Sequence, residues 1–249
     1  MPAAEVLLAC ARPAELSAAD VQELALTLGD AECAQARRFR FEADRHAFVV
    51  ARALLRALAA DPCGMTPQEL DLRHDAKGRP YIAQAPRLHV SLSRSRDAVA
   101  AAVTSAAPVG VDIECMAQDR VDASMLEAFV VPREPVTQRQ LLSQWTALEA
   151  FWKAWGTGLA DGQPRIACWA RGASRFDVVL EHGTVSAGRG AIVHAYDDCA
   201  FAVVLRAPAD PDFVLKRTNC RSAMDIQQLS RAVRPLNAFL PPGMTLWRV

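Results

Sequence analysis

Three short stretches of the chain carry residues whose types and spacing suit phosphate and metal chemistry. The first is GVDIE, Gly110 to Glu114. Read as a strand, it puts Asp112 and Glu114 on one face, roughly 7 Å apart at the backbone, with Ile113 on the other. Two carboxylates of unequal length can converge on one hard cation. Mg²⁺ usually takes one or two carboxylates together with phosphate oxygens. The same triplet also suits the solvated end of an edge strand.

The second stretch is QWTALEAFWKAWGTGL, Gln144 to Leu159. Leu141, Trp145, Leu148, Trp152 and Trp155 step by four, three, four and three, which makes one apolar stripe on a helix. Glu149 and Lys153 lie beside that stripe at i,i+4. At that spacing they form an ion pair with Glu on the favoured N-terminal side. Gly156 and Gly158 end the helix. The third stretch is LHVSLSRSRD, Leu88 to Asp97. Its alternating serines and arginines can donate to phosphate, or they can form an exposed hairpin end.

The elements around these stretches follow from periodicity. Glu5 to Ala11 reads as a strand, Ser17 to Leu28 as a helix capped by Ser17 with Asp20 at N3, and Glu32 to Arg38 as a second helix. Phe48, Ala51, Leu55 and Leu58 recur at helical spacing and predict a long amphipathic helix that Pro62 and Gly64 end. Leu70 to Arg73 and Arg79 to Ala83 flank the turn at DAKG, where Gly78 supplies a positive φ. Leu88 to Ser91, Val99 to Thr104 and Val109 to Glu114 read as strands. Helices return at 122–130 and 137–157. The last third gives strands at Ile166 to Ala170, Phe176 to Leu180, Ile192 to Tyr196 and Cys199 to Arg206. One helix follows, from Ser222 to Val233.

Helices then strands, followed by helices then strands, predict an α+β protein of two similar halves rather than an alternating βαβ sheet. The expected divisions are 1–106, 107–208 and a tail over 209–249. Half of the 249 residues are hydrophobic, enough for a globular core. Net charge is zero and points to no partner, nucleic acid included. The seven cysteines show no CxxC or Cys/His ligand spacing. That predicts neither a disulfide framework nor a zinc site, and fits a reducing cytoplasm. The start MPAAEVLLACARPAE lacks a basic n-region, and no apolar run reaches the roughly 18 residues of a membrane span.

In this order the stretches resemble the surfactin-synthetase-activating type of 4′-phosphopantetheinyl transferase. That family shows an F-x-x-x-D-R helix start, a G-K-P turn, an N-x-S-H-S strand end, G-x-D-x-E, and W-x-x-K-E-A-x-x-K-x-x-G-x-G-L. The chain offers RRFRFEADR at 37–45, GRP at 78–80, HVSLS at 89–93, GVDIE at 110–114 and WTALEAFWKAWGTGL at 145–159. The resemblance covers roughly residues 37–160.

It implies a pseudo-dimeric fold of two related α+β halves with the active site between them. It implies a monomer that uses coenzyme A as donor and an apo acyl or peptidyl carrier-protein serine as acceptor. Asp112, Glu114 and Glu149 would hold Mg²⁺ on the pyrophosphate, Glu149 would also act as base, and Lys153 would stabilise charge on the phosphates. Arg45, Arg79, Ser91, Ser93 and Arg94 would contact the coenzyme, with Arg79 in the place of the family lysine near the 3′-phosphate. The chain departs from the family at Leu92, Leu148 and Ala47, where a histidine, a lysine and an arginine stand. Those departures bear on coenzyme binding and suit a non-catalytic, carrier-binding homologue as a rival reading. A metal-dependent phosphohydrolase is a third.

Overall fold

A computed structural model of the chain describes residues 4–116, 124, 129, 137–158, 165–170, 175–180, 186–193, 198–206 and 213–220. Two compact units emerge. One holds the described residues up to 106 together with 213–220, and the other holds those from 107 to 206. Both combine helix with largely antiparallel sheet, so the fold is α+β as expected.

The first unit begins with β1 (Ala4–Ala11). Helix α1 (Ala18–Ala25) starts at the expected cap: Ser17 Oγ accepts from the Asp20 N–H, and Asp20 Oδ2 accepts in return from the Ser17 N–H. After α2 (Asp30–Ala36) comes α3 (Glu42–Cys63), 22 residues long. Pro62 sits inside its last turn, and Gly64 at φ 63° ends it in the left-handed conformation. Then follow β2 (Leu72–His74) and β3 (Pro80–Ile82), joined by the turn in which Gly78 takes φ 79°. Strands β4 (His89–Arg94) and β5 (Val99–Thr104) complete the run.

Helix α3 packs on one face of the sheet that holds β1, β5 and β4. Phe48, Leu54, Leu55 and Leu58 share a core with Ala9, Val90, Val99, Ala101 and Val103. Side chains alternate along β4, so Val90, Leu92 and Arg94 share the α3 side, and Ser91 and Ser93 lie on the other. That other face is buried too: Leu8, Ala100 and Ala102 have no exposure.

The second unit is a five-stranded sheet in the order β6-β10-β9-β8-β7, every neighbouring pair antiparallel. Its strands are β6 (Val109–Cys115), β7 (Ile166–Ala170), β8 (Arg175–Leu180), β9 (Ser186–Val193) and β10 (Cys199–Leu205). Helix α4 (Gln138–Trp155) runs from a Thr137–Gln140 capping box to Gly156 at φ 69°. Leu141, Leu148, Phe151 and Trp152 pack on Ile166, Phe176, Val178, Ala202 and Val204.

Four points differ from expectation or lie beyond the described residues. Strand β11 (Phe213–Cys220) forms within the segment expected as a tail, pairing parallel with β1 from Ala4↔Phe213 to Ala11↔Cys220. Strand β9 ends at Val193 and starts at Ser186, earlier than the expected Ile192 to Tyr196. Its Gly188 and Gly190 hid it, because glycine weakens a strand signal. The Phe176 ring explains Gly190: a Cβ there would lie 2.2 Å from a ring carbon. Cys115 and Cys199, directly opposite on β6 and β10, form a disulfide that their linear spacing did not suggest. The helices expected at 122–130 and Ser222 to Val233 lie outside the described residues, apart from 124 and 129. Among those described, no helix is long and apolar enough to cross a membrane.

Candidate functional site

The GVDIE strand and the tryptophan-striped helix come together within the second unit, and Gly110 is what lets them. A Cβ on Gly110 would stand 1.8 Å from the Ala150 carbonyl oxygen and 2.5 Å from the Ala154 nitrogen. Any side chain would push β6 off the α4 backbone. Two residues on, Asp112 points at the same helix, buried to 1 % exposure. Lys153, one turn beyond Glu149 on α4, brings its Nζ to 2.6 Å from Asp112 Oδ1 and 3.8 Å from Glu149 Oε2. One ammonium thus serves carboxylates from two elements.

The electrostatics follow from that crowding. Burial pushes the Glu149 carboxyl above its ordinary range, the Asp112 charge pushes it further, and Lys153 pulls it back. A carboxyl so placed holds a proton more readily than one in water, which suits a group that accepts a proton near neutral pH. The donors are oxygen atoms alone, the set a hard divalent cation takes. Asp112 and Glu149 offer donors of that type, with the Lys153 ammonium beside them. Glu114, half-buried, follows Asp112 on the same face of β6. Among the described residues, no group of three or more His, Cys, Asp or Glu side chains is gathered closely enough to hold a metal.

The expected coenzyme contacts are spread through the first unit. Arg79 sits in the β2–β3 turn, where Asp75 organises the backbone: its Oδ1 accepts from the Lys77 and Arg79 N–H groups, and Arg79 Nε donates to its Oδ2 at 3.2 Å. Burial and the Arg79 charge lower the pKa of His89, the first residue of β4. Arg94 ends that strand with its guanidinium 5.3 Å from the Phe39 ring centroid. Ser91 and Ser93 are buried on the opposite face of β4 from Arg94. Arg45 pairs with Glu42 at 3.6 Å in the first turn of α3. With Arg37 and His46 it rims a cavity of about 350 Å³ floored by Val21, Leu28 and Val49.

Comparison with known proteins supports one family. A family model described as "4'-phosphopantetheinyl transferase, N-terminal" matches residues 16–105. The 4′-phosphopantetheinyl transferase HetI of Nostoc sp. is 29 % identical over 160 residues, covering 59 % of this chain and 68 % of that protein. The 4′-phosphopantetheinyl transferase psf-1 of Bacillus pumilus is 31 % identical over 141 residues, 52 % of this chain and 58 % of its own. The 4′-phosphopantetheinyl transferase of Bacillus subtilis is 29 % identical over 154 residues, 58 % and 67 % respectively. Over these stretches the chain is similar to 4′-phosphopantetheinyl transferases.

The three departures from the phosphopantetheinyl transferase motifs now have an environment. Leu148 has no exposure and lies in the α4 core beside Phe151 and Trp152. Ala47 is 6 % exposed in the core under α3. Leu92 is half-buried against that same core. At each position the chain places apolar volume where the family places a polar side chain, and at 148 and 47 that volume is fully packed. Sequence reading missed the role of Gly110, although a glycine inside an otherwise apolar strand is a signal of close backbone approach.

Proposed function

We propose that the chain transfers the 4′-phosphopantetheine group of coenzyme A to a serine of an apo acyl or peptidyl carrier protein, with Mg²⁺, releasing 3′,5′-ADP. One observation carries the reading: Asp112, Glu149 and Lys153 meet, at 2.6 and 3.8 Å, from a strand and a helix whose motifs match the family's. The serine hydroxyl oxygen forms a bond to the β-phosphorus, the bond from that phosphorus to the departing 3′,5′-ADP oxygen breaks, and the serine proton passes to Glu149. Burial and the nearby Asp112 charge favour Glu149 as the acceptor of that proton. Lys153 offsets negative charge that builds on the phosphate oxygens, as phosphoryl transfer requires. Asp112 and Glu149, with Glu114 beside them, would hold Mg²⁺, which supplies charge neutralisation at the pyrophosphate when bound. Arg45, Arg79, Ser91, Ser93 and Arg94 are the coenzyme contacts of this reading, which takes the protein as a cytoplasmic monomer.

Leu148 and Ala47 favour a second reading, a homologue that binds carrier proteins without modifying them, because both are sealed in apolar cores. Intact-mass analysis separates the two. Apo carrier proteins of fatty-acid, polyketide and peptide type are incubated with the chain, coenzyme A and Mg²⁺. Transfer predicts a mass gain of one phosphopantetheine on at least one of them, lost in Glu149→Gln. No gain on any carrier, with carrier binding retained, establishes the second reading.

A further inference from the structure

Charge in the first unit is unbalanced around the middle of α3. Glu32 is a buried carboxylate that faces two buried guanidinium groups, Arg52 and Arg56. Arg56 is fully engaged: Nε and Nη2 each lie 2.7 Å from Glu32 Oε2, and Nη1 donates to the carbonyls of Pro67 and Leu70. Arg52 receives less. Its Nη2 lies 3.0 Å from His74 Nε2, and its Nε is 3.8 Å from Glu32 Oε1, beyond hydrogen-bond reach. Among the described residues, Nε and Nη1 of Arg52 make no hydrogen bond, although the residue is 9 % exposed.

A second arginine stands nearby. Arg52 lies over the Phe48 ring at 5.2 Å and Arg94 over the Phe39 ring at 5.3 Å, and the two rings are 5.3 Å apart. The adjoining aromatic faces thus hold two guanidinium groups in place. Burial lowers the Arg52 pKa, Glu32 offsets part of that, and the Arg56 and Arg94 charges lower it further. Arg94 and His74 are both exposed, so the buried Arg52 fork has solvent-facing neighbours. Burial and the Arg52 charge lower the pKa of His74, which favours the neutral ring whose Nε2 accepts from Arg52 Nη2 at 3.0 Å.

We propose that Arg52 and Arg94, with His74 holding the Arg52 fork, bind the oxyanion of a phosphate group. Buried donors without acceptors and a local excess of positive charge are both costly, and one doubly charged oxyanion relieves both. The planar guanidinium fork matches phosphate geometry, and two forks match a dianion better than a single carboxylate. The site shares Arg94 with the coenzyme contacts proposed above and to that extent rests on that reading, but phosphate binding is measured without transfer.

The test is a calorimetric titration of inorganic phosphate into the full chain at low ionic strength, with chloride as control. Saturable phosphate binding is expected in the wild type, weaker by about tenfold or more in Arg52→Gln and in Arg94→Gln, the scale of one charge-assisted hydrogen bond. Arg94→Gln keeps the test open if Arg52→Gln does not fold, because Arg94 is exposed. Absence of saturable binding in the wild type, or unchanged affinity in Arg94→Gln, overturns the proposal. Repeating the titration with coenzyme A present identifies the source of the group. Displacement of phosphate supports a site filled by a coenzyme phosphate, and retention supports one filled by free phosphate.

Discussion

Lys153 holds its ammonium 2.6 Å from a carboxylate oxygen of Asp112, a side chain 1 % exposed. Asp112 is therefore a structural group as well as a candidate cation ligand, and changes to either residue act on stability as well as on chemistry. Lys153→Met removes this counter-charge from a buried carboxylate. Losing one partner of a fully buried pair costs about 3–5 kcal/mol. The Lys153 side chain is 32 % exposed, so solvent softens the loss, and we expect about 1–3 kcal/mol. Urea denaturation measures it. Added Mg²⁺ should recover more stability in the variant than in the wild type, since a cation can then neutralise Asp112 and Glu149. An unchanged urea midpoint would show that Asp112 does not depend on Lys153.

Glu149 gives the chain a predictable response to pH. Its carboxyl titrates above the ordinary value, first because it is buried and next because Asp112 is charged. A raised folded-state pKa means the folded protein binds the extra proton more tightly than the unfolded chain does. This group's contribution to stability is then full below the unfolded pKa and declines as pH rises through the folded one. Glu149→Gln should flatten that decline in chelator-treated protein, as read by melting temperature across pH 4 to 8. Asp112→Asn should lower the Glu149 pKa in a carbon-13 NMR titration, by removing its second cause. A Glu149 pKa that rises or stays fixed in Asp112→Asn contradicts the geometry.

Gly110→Ala should be more damaging than its single methyl group suggests. The new Cβ meets α4 backbone atoms at 1.8 and 2.5 Å, and backbone cannot swing aside as a flexible side chain can. Overpacking typically costs about 1–3 kcal/mol, and a backbone clash belongs at or above the top of that range. The separation of β6 from α4 should also carry Asp112 away from Lys153, so Mg²⁺ affinity should fall together with melting temperature. Wild-type stability in this variant would mean that the strand and helix are not packed as described.

The β1–β11 pairing makes residues 213–220 part of the first unit. Eight residues of β11 run parallel to β1, whose Val6, Leu8, Ala9 and Cys10 have no exposure. Truncation after Arg206 strips that strand away and leaves a sheet edge with unpaired backbone groups, a template for aggregation. The truncated chain should lose melting temperature and elute partly as aggregate in size-exclusion chromatography. Clean elution at full stability would show that β11 is dispensable.

What was legible in the sequence was set by periodicity and by short range. The α4 stripe and the α3 spacing of Phe48, Ala51, Leu55 and Leu58 each span several turns, and a helix of that length overrides local ambiguity. The alternation of GVDIE gave β6 to within one residue. Its meeting with Glu149 and Lys153 was suggested by resemblance, because no local pattern says which helix a strand packs on. Strand β11 was invisible for a similar reason: its partner β1 lies about 200 positions earlier, and parallel pairing leaves no turn signature to read. The Cys115–Cys199 bond depends on the register of β6 against β10, which linear spacing does not encode.

Leu148 is the sharpest test of whether this chain's lost polar residues can be restored. Helical spacing puts residue 148 in the Trp145–Trp152–Trp155 stripe, and from sequence alone a lysine there had two outcomes. It could run along the tryptophans with its ammonium at the rim, or it could bury a charge. The structure decides between them, since Leu148 has no exposure and packs among Phe151, Trp152, Ile166 and Val178. Leu148→Lys should therefore destabilise by several kcal/mol, or force the lysine neutral, because it puts an ammonium into an apolar cluster. Leu92→His, at a half-buried position, should cost far less. Thermal melts of the two single variants, set beside their coenzyme A affinities, provide the comparison. A Leu148→Lys protein that melts with the wild type would show that α4 can turn position 148 toward solvent, and would reopen it as a phosphate-gripping position. A large loss of stability confined to that variant would show that apolar packing at 148 is now part of the fold.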